Sequence, residues 1–176
     1  MRKQTKVKPV FLTLATLTRD SEKYIVEHAL FHFLVGFDRL IYILHICQDQ
    51  TEQRLLKLRK KLGLDIVIHH CKTNGKIQMG TIDHITRTYK DTTEWLAWCD
   101  DDEYLSCVNP TVNYKDDIKS YLRQFKDASA VSCNAKVFGP SRHITRPDYR
   151  LTAYTERFTH EMMANKAVRH LAVEFN

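Results

Sequence analysis

Between Trp95 and Leu105 the chain reads Trp-Leu-Ala-Trp-Cys-Asp-Asp-Asp-Glu-Tyr-Leu, an apolar run of strand length that breaks into four consecutive carboxylates and then turns apolar again. Like charges crowded at a strand end repel, and burying them unpaired is costly. In an extended chain side chains alternate between faces, so Asp100 and Asp102 are expected on one side and Asp101 on the other. Two readings fit such a tetrad. It can be a solvated loop, because Asp is common in turns and helix caps. It can also hold a divalent cation: hard oxygen donors suit Mg²⁺, Mn²⁺ and Ca²⁺, and Mg²⁺ is usually bound by one or two carboxylates, with substrate phosphates and water completing its shell. The setting favours the cation, since a buried-looking strand precedes the tetrad and aromatic and aliphatic residues follow it. Chemistry in α/β proteins gathers where strands leave the core.

A chain of 176 residues suits one domain with a sizeable core. With 43% hydrophobic and 27% charged residues it is globular rather than disordered. The net charge of +6 suits anionic partners such as nucleotide phosphates, acidic glycans or an anionic lipid surface. Nucleic acid satisfies the charge as well, but no basic–aromatic binding motif accompanies it, and none is expected as a partner. Cys47, Cys71, Cys99, Cys107 and Cys133 are odd in number, widely spaced and without a C-x-x-C pair, which points to reduced thiols in a cytoplasmic protein. No H-E-x-x-H or paired Cys/His spacing suggests zinc. Residues 1–8 form a basic arm that lacks the apolar core of a signal peptide, and no run reaches bilayer-spanning length. The arm can fray in solvent or make peripheral contact with an anionic membrane.

Residues 9–176 read as one α/β domain. Val10–Leu17 is the first strand, and Asp20 or Ser21 can cap a helix carrying Tyr24, Ile25, His28, Phe31 and Phe33 that stops at Gly36. Leu40–Cys47 is a second strand. Glu52–Leu62 is a basic amphipathic helix with Leu55, Leu58 and Leu62 on one face and Gly63 as its stop. Ile66–His69 is a third strand, Met79, Ile82, Ile85, Thr86 and Tyr89 mark a third helix, and Trp95–Cys99 is the strand that leads into the acidic tetrad. Ile118, Tyr121, Leu122 and Phe125 share a face of a fourth helix, and Ala130–Phe138 is a further strand. Alternating strands and helices imply right-handed βαβ units and a mainly parallel sheet flanked by helices. Arg142, His143, Arg146 and Arg150 fall in a loop-like segment.

Three blocks carry a resemblance to a known group. They are Thr18–His28 running into Leu34-Val35-Gly36-Phe37-Asp38, then Glu94–Leu105, then Ala130–Asn134 with Val137-Phe138-Gly139 and Glu156-Arg157-Phe158. In this register the chain resembles the GT-A glycosyltransferases, most closely glycosyltransferase family 92, which is related to family 2. The resemblance implies a GT-A, Rossmann-like single domain that transfers a sugar from a nucleotide-diphosphate sugar to a glycan or other hydroxyl acceptor, with inversion. Asp100 and Asp102 match its D-x-D pair and would hold Mn²⁺ or Mg²⁺ against the donor diphosphate. Glu103 would contact the sugar or brace the metal ligands. Gln78, Asp20, Asp49 and Arg157 would lie along the donor, the two aspartates at its nucleoside end.

The same resemblance calls for a carboxylate base, and Glu156 is the first choice, with Asp101 and Glu103 behind it. Arg142, Arg146, Arg150 and Arg157 can steady a diphosphate or an acidic acceptor, or simply form a solvated basic loop. The segment His45-Ile46-Cys47-Gln48-Asp49 keeps only the final acid of the family pattern, and Ala135-Lys136 replaces its usual aromatic residue. The chain stops soon after Glu156-Arg157-Phe158, as a trimmed or unusually compact catalytic domain would, leaving His160 and His170 as candidates for a late metal ligand. A non-catalytic nucleotide- or glycan-binding relative is the main alternative, and a metal-dependent phosphohydrolase a lesser one.

Overall fold

A computed structural model describes residues 8–73, 75, 77–107, 111–157 and 165–171. Among these residues, six strands form one sheet in the order β3-β2-β1-β4-β6-β5. Strands β1 (Val10–Thr18), β2 (Arg39–His45), β3 (Ile66–Cys71) and β4 (Thr93–Trp98) are parallel, whereas β6 (Asn165–His170) runs antiparallel to both β4 and β5 (Ala130–Asn134). Helices α1 (Ile25–Leu34), α2 (Thr51–Leu62) and α3 (Gln78–Tyr89) make the crossovers, α4 (Tyr114–Leu122) continues into a 3₁₀ turn at Arg123–Phe125, and α5 (Arg150–Ala153) is a single turn. The sheet is therefore mixed but mostly parallel, within a single α/β domain, as the alternating pattern predicts.

Alternation along the central strands divides the core. Leu12, Leu14, Trp95 and Ala97 pack beneath α1, α2 and α4 through Ile25, Ala29, Leu55, Leu58, Ile118 and Leu122. On the opposite face Ala15, Ile41, Ile43 and Leu96 meet Ile85 and Tyr89 of α3. Apolar residues on both faces are what a central parallel strand requires.

Glycine placement sets two helix ends. Gly63 ends α2 in the left-handed region at φ 66°. Gly36 follows α1 at φ 108°, and a β-carbon there would lie 1.9 Å from the Lys115 carbonyl oxygen. The turn thus depends on glycine for both conformation and space. Just beyond it, the Leu12 and Asp38 amides exchange hydrogen bonds with the partner's carboxylate and carbonyl, at 3.0 and 2.9 Å, docking α1 back onto β1.

Several boundaries differ from the sequence expectation. The carbonyl of Ser21, rather than a side chain of Asp20 or Ser21, accepts the Tyr24 and Ile25 amides at the start of α1. Strand β2 ends at His45 because Ile46 turns the chain at φ 49°. Strand β5 stops at Asn134, and Phe138 instead forms a separate bridge with Arg157. Strand β6 has no counterpart in the sequence reading. Among the described residues, no helix is long and apolar enough to cross a membrane. Of the basic arm, only Lys8 is described.

Candidate functional site

In this strand order the chain leaves β1 toward β2 on one side and returns to pair β4 on the other, so the carboxyl ends of β1 and β4 flank a topological switch point. Thr18 to Ser21 lie at one lip and Asp100 to Glu103 at the other. The acidic tetrad is a tight turn rather than an extended run: β4 ends at Trp98, and the Glu103 amide donates to the Asp100 carbonyl at 3.1 Å. The Glu103 carboxylate accepts the Asp100 amide at 2.9 Å. Expected strand alternation between Asp100 and Asp101 therefore gives way to turn geometry, which brings repelling carboxylates to main-chain donors and solvent.

The four acids have distinct surroundings. Asp101 accepts hydrogen bonds from Thr18 Oγ1 at 2.5 Å and from the Ser21 hydroxyl, so the middle carboxylate fastens the end of β4 to the end of β1. Asp100 is half-buried, with the Gln78 side-chain amide 3.4 Å from its Oδ1. Asp102 is exposed at the mouth. Glu103 braces the turn through its carboxylate. Carboxylate oxygens are the donors a hard cation takes, and in this turn the middle carboxylate is tied to Thr18 and Ser21.

Asp20 and Asp49 come together at the ends of β1 and β2. With Cys47 they form the one trio of metal-ligating side chains among the described residues, all within 4.8 Å. Each is engaged. Asp20, at φ 50°, accepts the Gln48 amide at 2.7 Å. Asp49 accepts the Glu22 amide at 2.8 Å and, at 2.9 and 2.6 Å, the Thr51 amide and hydroxyl. Burial pushes the Asp49 carboxyl up, but the bonds from Thr51 and Glu22 outweigh it and hold the group below its ordinary value. Burial raises the Cys47 thiol, which donates to the Thr18 carbonyl at 3.6 Å. A protonated thiol between two engaged carboxylates is a loop brace, poorly matched to a hard ion. Beside it opens a cavity of about 470 Å³ lined by Leu44, Ile46, Cys47, Glu52, His70, Cys71 and Lys72.

Beneath the acidic turn lies a buried aromatic layer. His28 and His32, one helical turn apart on α1, are fully buried with ring centroids 4.4 Å apart. His28 Nδ1 is 2.8 Å from the Tyr42 hydroxyl, and desolvation pulls the ring down to about 4, with the nearby Arg150 charge adding to the effect. His32 is likewise held well below its ordinary value by burial and by His28. Tyr104 is raised to about 12 by burial and the Glu27 carboxylate.

A strap over residues 141–154 closes one side. It enters through Ser141 and Arg142 at φ 46° and 64°. Lys23 donates to the Arg146 carbonyl at 2.8 Å, Tyr24 donates its hydroxyl to the Pro147 carbonyl at 2.6 Å, and the Glu27 carboxylate accepts the Arg150 and Leu151 amides, each at 2.9 Å. Arg150 thus belongs to a packed corner rather than a solvated loop. Glu156 is exposed and lies 3.6 Å from Arg142, while Arg157 forms its bridge with Phe138. His170 stacks on Trp95 at 4.4 Å, at the end of β4 remote from the acidic turn, so it is not a ligand there. His160 lies outside the described residues. Thr18, Ser21, Glu27 and His32 belong to the site only through the fold, since nothing in their local sequence marks them beyond the helical spacing of His28 and His32.

An α/β sheet of this order, with an acidic turn at its switch point, is a GT-A-like fold. Among solved structures the chain is similar to S. aureus TarS 1-349, with a TM-score of 0.57, 17% identity, and coverage of 93% of this chain and 48% of that one. It is also similar to the mannosyltransferase PcManGT from Pyrobaculum calidifontis in complex with GDP-Man and Mn2+, with a TM-score of 0.51, 16% identity, and coverage of 80% and 41%. The chain therefore spans less than half the length of either structure. No family model matches the sequence, and no curated protein matches it.

Proposed function

We propose that the chain is the donor-binding portion of a glycosyltransferase of the GT-A class, most akin to family 92, that uses a nucleotide-diphosphate sugar and Mn²⁺ or Mg²⁺. The observation that carries this reading is the acidic turn at the switch point, with Asp101 tied back to Thr18 and Ser21 while Asp102 is exposed at the mouth. A divalent ion held by Asp100 and Asp102 would supply charge neutralisation and Lewis acidity for the departing diphosphate. The chain's own residues arrange the rest. Asp101 and Glu103 keep the turn in shape, Gln78 approaches Asp100 from the start of α3, and Asp20 and Asp49 hold the loops that border the cavity assigned to the nucleoside. Glu156 is the proposed base for the acceptor hydroxyl in an inverting transfer. Arg157 is assigned to the donor side, and a glycan or other hydroxyl compound to the acceptor side.

One feature favours binding without turnover: Glu156 is exposed and its carboxylate lies 3.6 Å from the Arg142 side chain, a partner that competes with an acceptor hydroxyl for it. Incubation with a panel of UDP- and GDP-sugars, with and without Mn²⁺, distinguishes these readings. Metal-dependent release of UDP or GDP supports the transferase. Metal-dependent binding without release supports the non-catalytic relative, and absence of both overturns the assignment.

A further inference from the structure

We propose that His32, seconded by His28, is a positioning residue that sets the backbone of the acidic turn for metal binding, an inference that rests on the metal and diphosphate reading above. Helix α1 runs beneath the turn, and two imidazoles on its fully buried face need a reason, since apolar rings would fill the space without desolvating polar atoms. His32 spends both nitrogens on main chain. Its Nδ1 is 2.9 Å from the His28 carbonyl, and its Nε2 is 3.2 Å from the Leu105 amide. An amide N–H can only donate, so Nε2 carries the lone pair and Nδ1 the proton. The tautomer is thus dictated by the two backbone groups that the ring joins.

Leu105 is where the chain leaves the acidic turn and re-enters the core. The His32 ring also lies parallel to Tyr104, with centroids 6.0 Å apart and planes 4° from parallel. His28 acts at the other end. Its Nδ1 is fixed by Tyr42, and the backbone of Asp100 and Glu103 faces the ring. The pair therefore supports the tetrad at its start and at its exit, from a helix anchored in the core. Groups that orient metal ligands from behind have large effects on affinity without touching the ion.

Two substitutions separate this role from packing. His32→Phe keeps a flat ring against Tyr104 and Phe37 but removes the acceptor for Leu105. His32→Gln returns a carbonyl oxygen near the position of Nε2. In His32→Phe, hydrogen exchange at the Leu105 amide accelerates, and Mn²⁺ affinity measured by electron paramagnetic resonance with saturating UDP or GDP falls about tenfold or more. In His32→Gln both return toward the parent values. If His32→Phe does not fold, replacement of Leu105 by its α-hydroxy acid deletes the same hydrogen bond from the turn side and is expected to weaken Mn²⁺ similarly. Unchanged Mn²⁺ affinity in His32→Phe or in the Leu105 α-hydroxy acid variant overturns the proposal, as does failure of His32→Gln to recover affinity while protecting Leu105. If the parent chain binds no Mn²⁺ with either nucleotide, the metal reading itself has failed and this inference falls with it.

Discussion

Arg150 donates from Nη1 to the main-chain carbonyl of Asp101 at 2.7 Å, across a sequence separation of 49 residues. Its guanidinium also lies 4.1 Å over the Tyr24 ring. One side chain thereby joins the strap, helix α1 and the acidic turn. Arg150→Met is expected to keep much of the packing while losing the charge-assisted bond and the cation–π contact, at a cost of about 1–2 kcal/mol. The checks are thermal unfolding and the rate of limited proteolysis within residues 141–149, which should rise.

Asp101 and Asp102 should respond to substitution in opposite ways. Asp101 receives the Thr18 and Ser21 hydroxyls, so Asp101→Asn is expected to destabilise the metal-free protein by about 1–2 kcal/mol. Asp102 is exposed, and Asp102→Asn should leave the metal-free melting temperature nearly unchanged while abolishing stabilisation by Mn²⁺ with the correct nucleoside diphosphate. A melting series of the three proteins, with and without Mn²⁺ and UDP or GDP, measures both effects. Persistence of the metal response in Asp102→Asn would remove Asp102 from the ligand set.

Gly36→Ala tests the junction of α1 and α4. The new β-carbon would meet the Lys115 carbonyl oxygen at 1.9 Å, in a backbone conformation of φ 108°. Separation of α4 from α1, or a rebuilt turn, is the only relief. A loss of about 3 kcal/mol or more in urea unfolding is expected.

Acid should weaken the fold through the buried histidines. His28 sits at about 4 when folded, against 6.5 as its ordinary value, and His32 shifts in the same direction. Below pH 6.5 the unfolded chain takes up protons that the folded chain refuses. Stability is therefore complete above that pH and declines as pH falls toward 4. At about 1.4 kcal/mol per pH unit, His28 alone accounts for a loss of about 2 kcal/mol between pH 7 and pH 5. Urea unfolding at the two values measures it, and a flat profile would contradict the burial of neutral imidazole.

What could be read from the sequence tracks how local each signal is. The apolar run of β1, the leucines of α2 with Gly63 behind them, and the α3 spacing are all written within a dozen residues, and each appears where expected. Strand β6 is not. Of its last four residues only Val168 and His170 are buried, and the apolar neighbours that make it a strand belong to β4 and β5. The site divides in the same way. Four acids at the end of β4 announce themselves, but the role of Asp101 depends on hydroxyls about eighty positions earlier. The use of His32 likewise depends on an amide 73 residues away. A histidine at helical spacing looks the same whether it packs or holds a loop.

Strand β5 depends on a strand that follows it in the chain. Among the described residues, strand β5 sits at the sheet edge with β6 as its sole neighbour, and β6 fills the place beside β4. During translation, residues 130–134 must wait outside the ribosome with no ladder to join until residues 165–170 follow, while the parallel half of the sheet can already assemble. Premature arrest in that interval would leave β4 with a bare edge beside the acidic turn, a surface for chaperones or stray strands to claim.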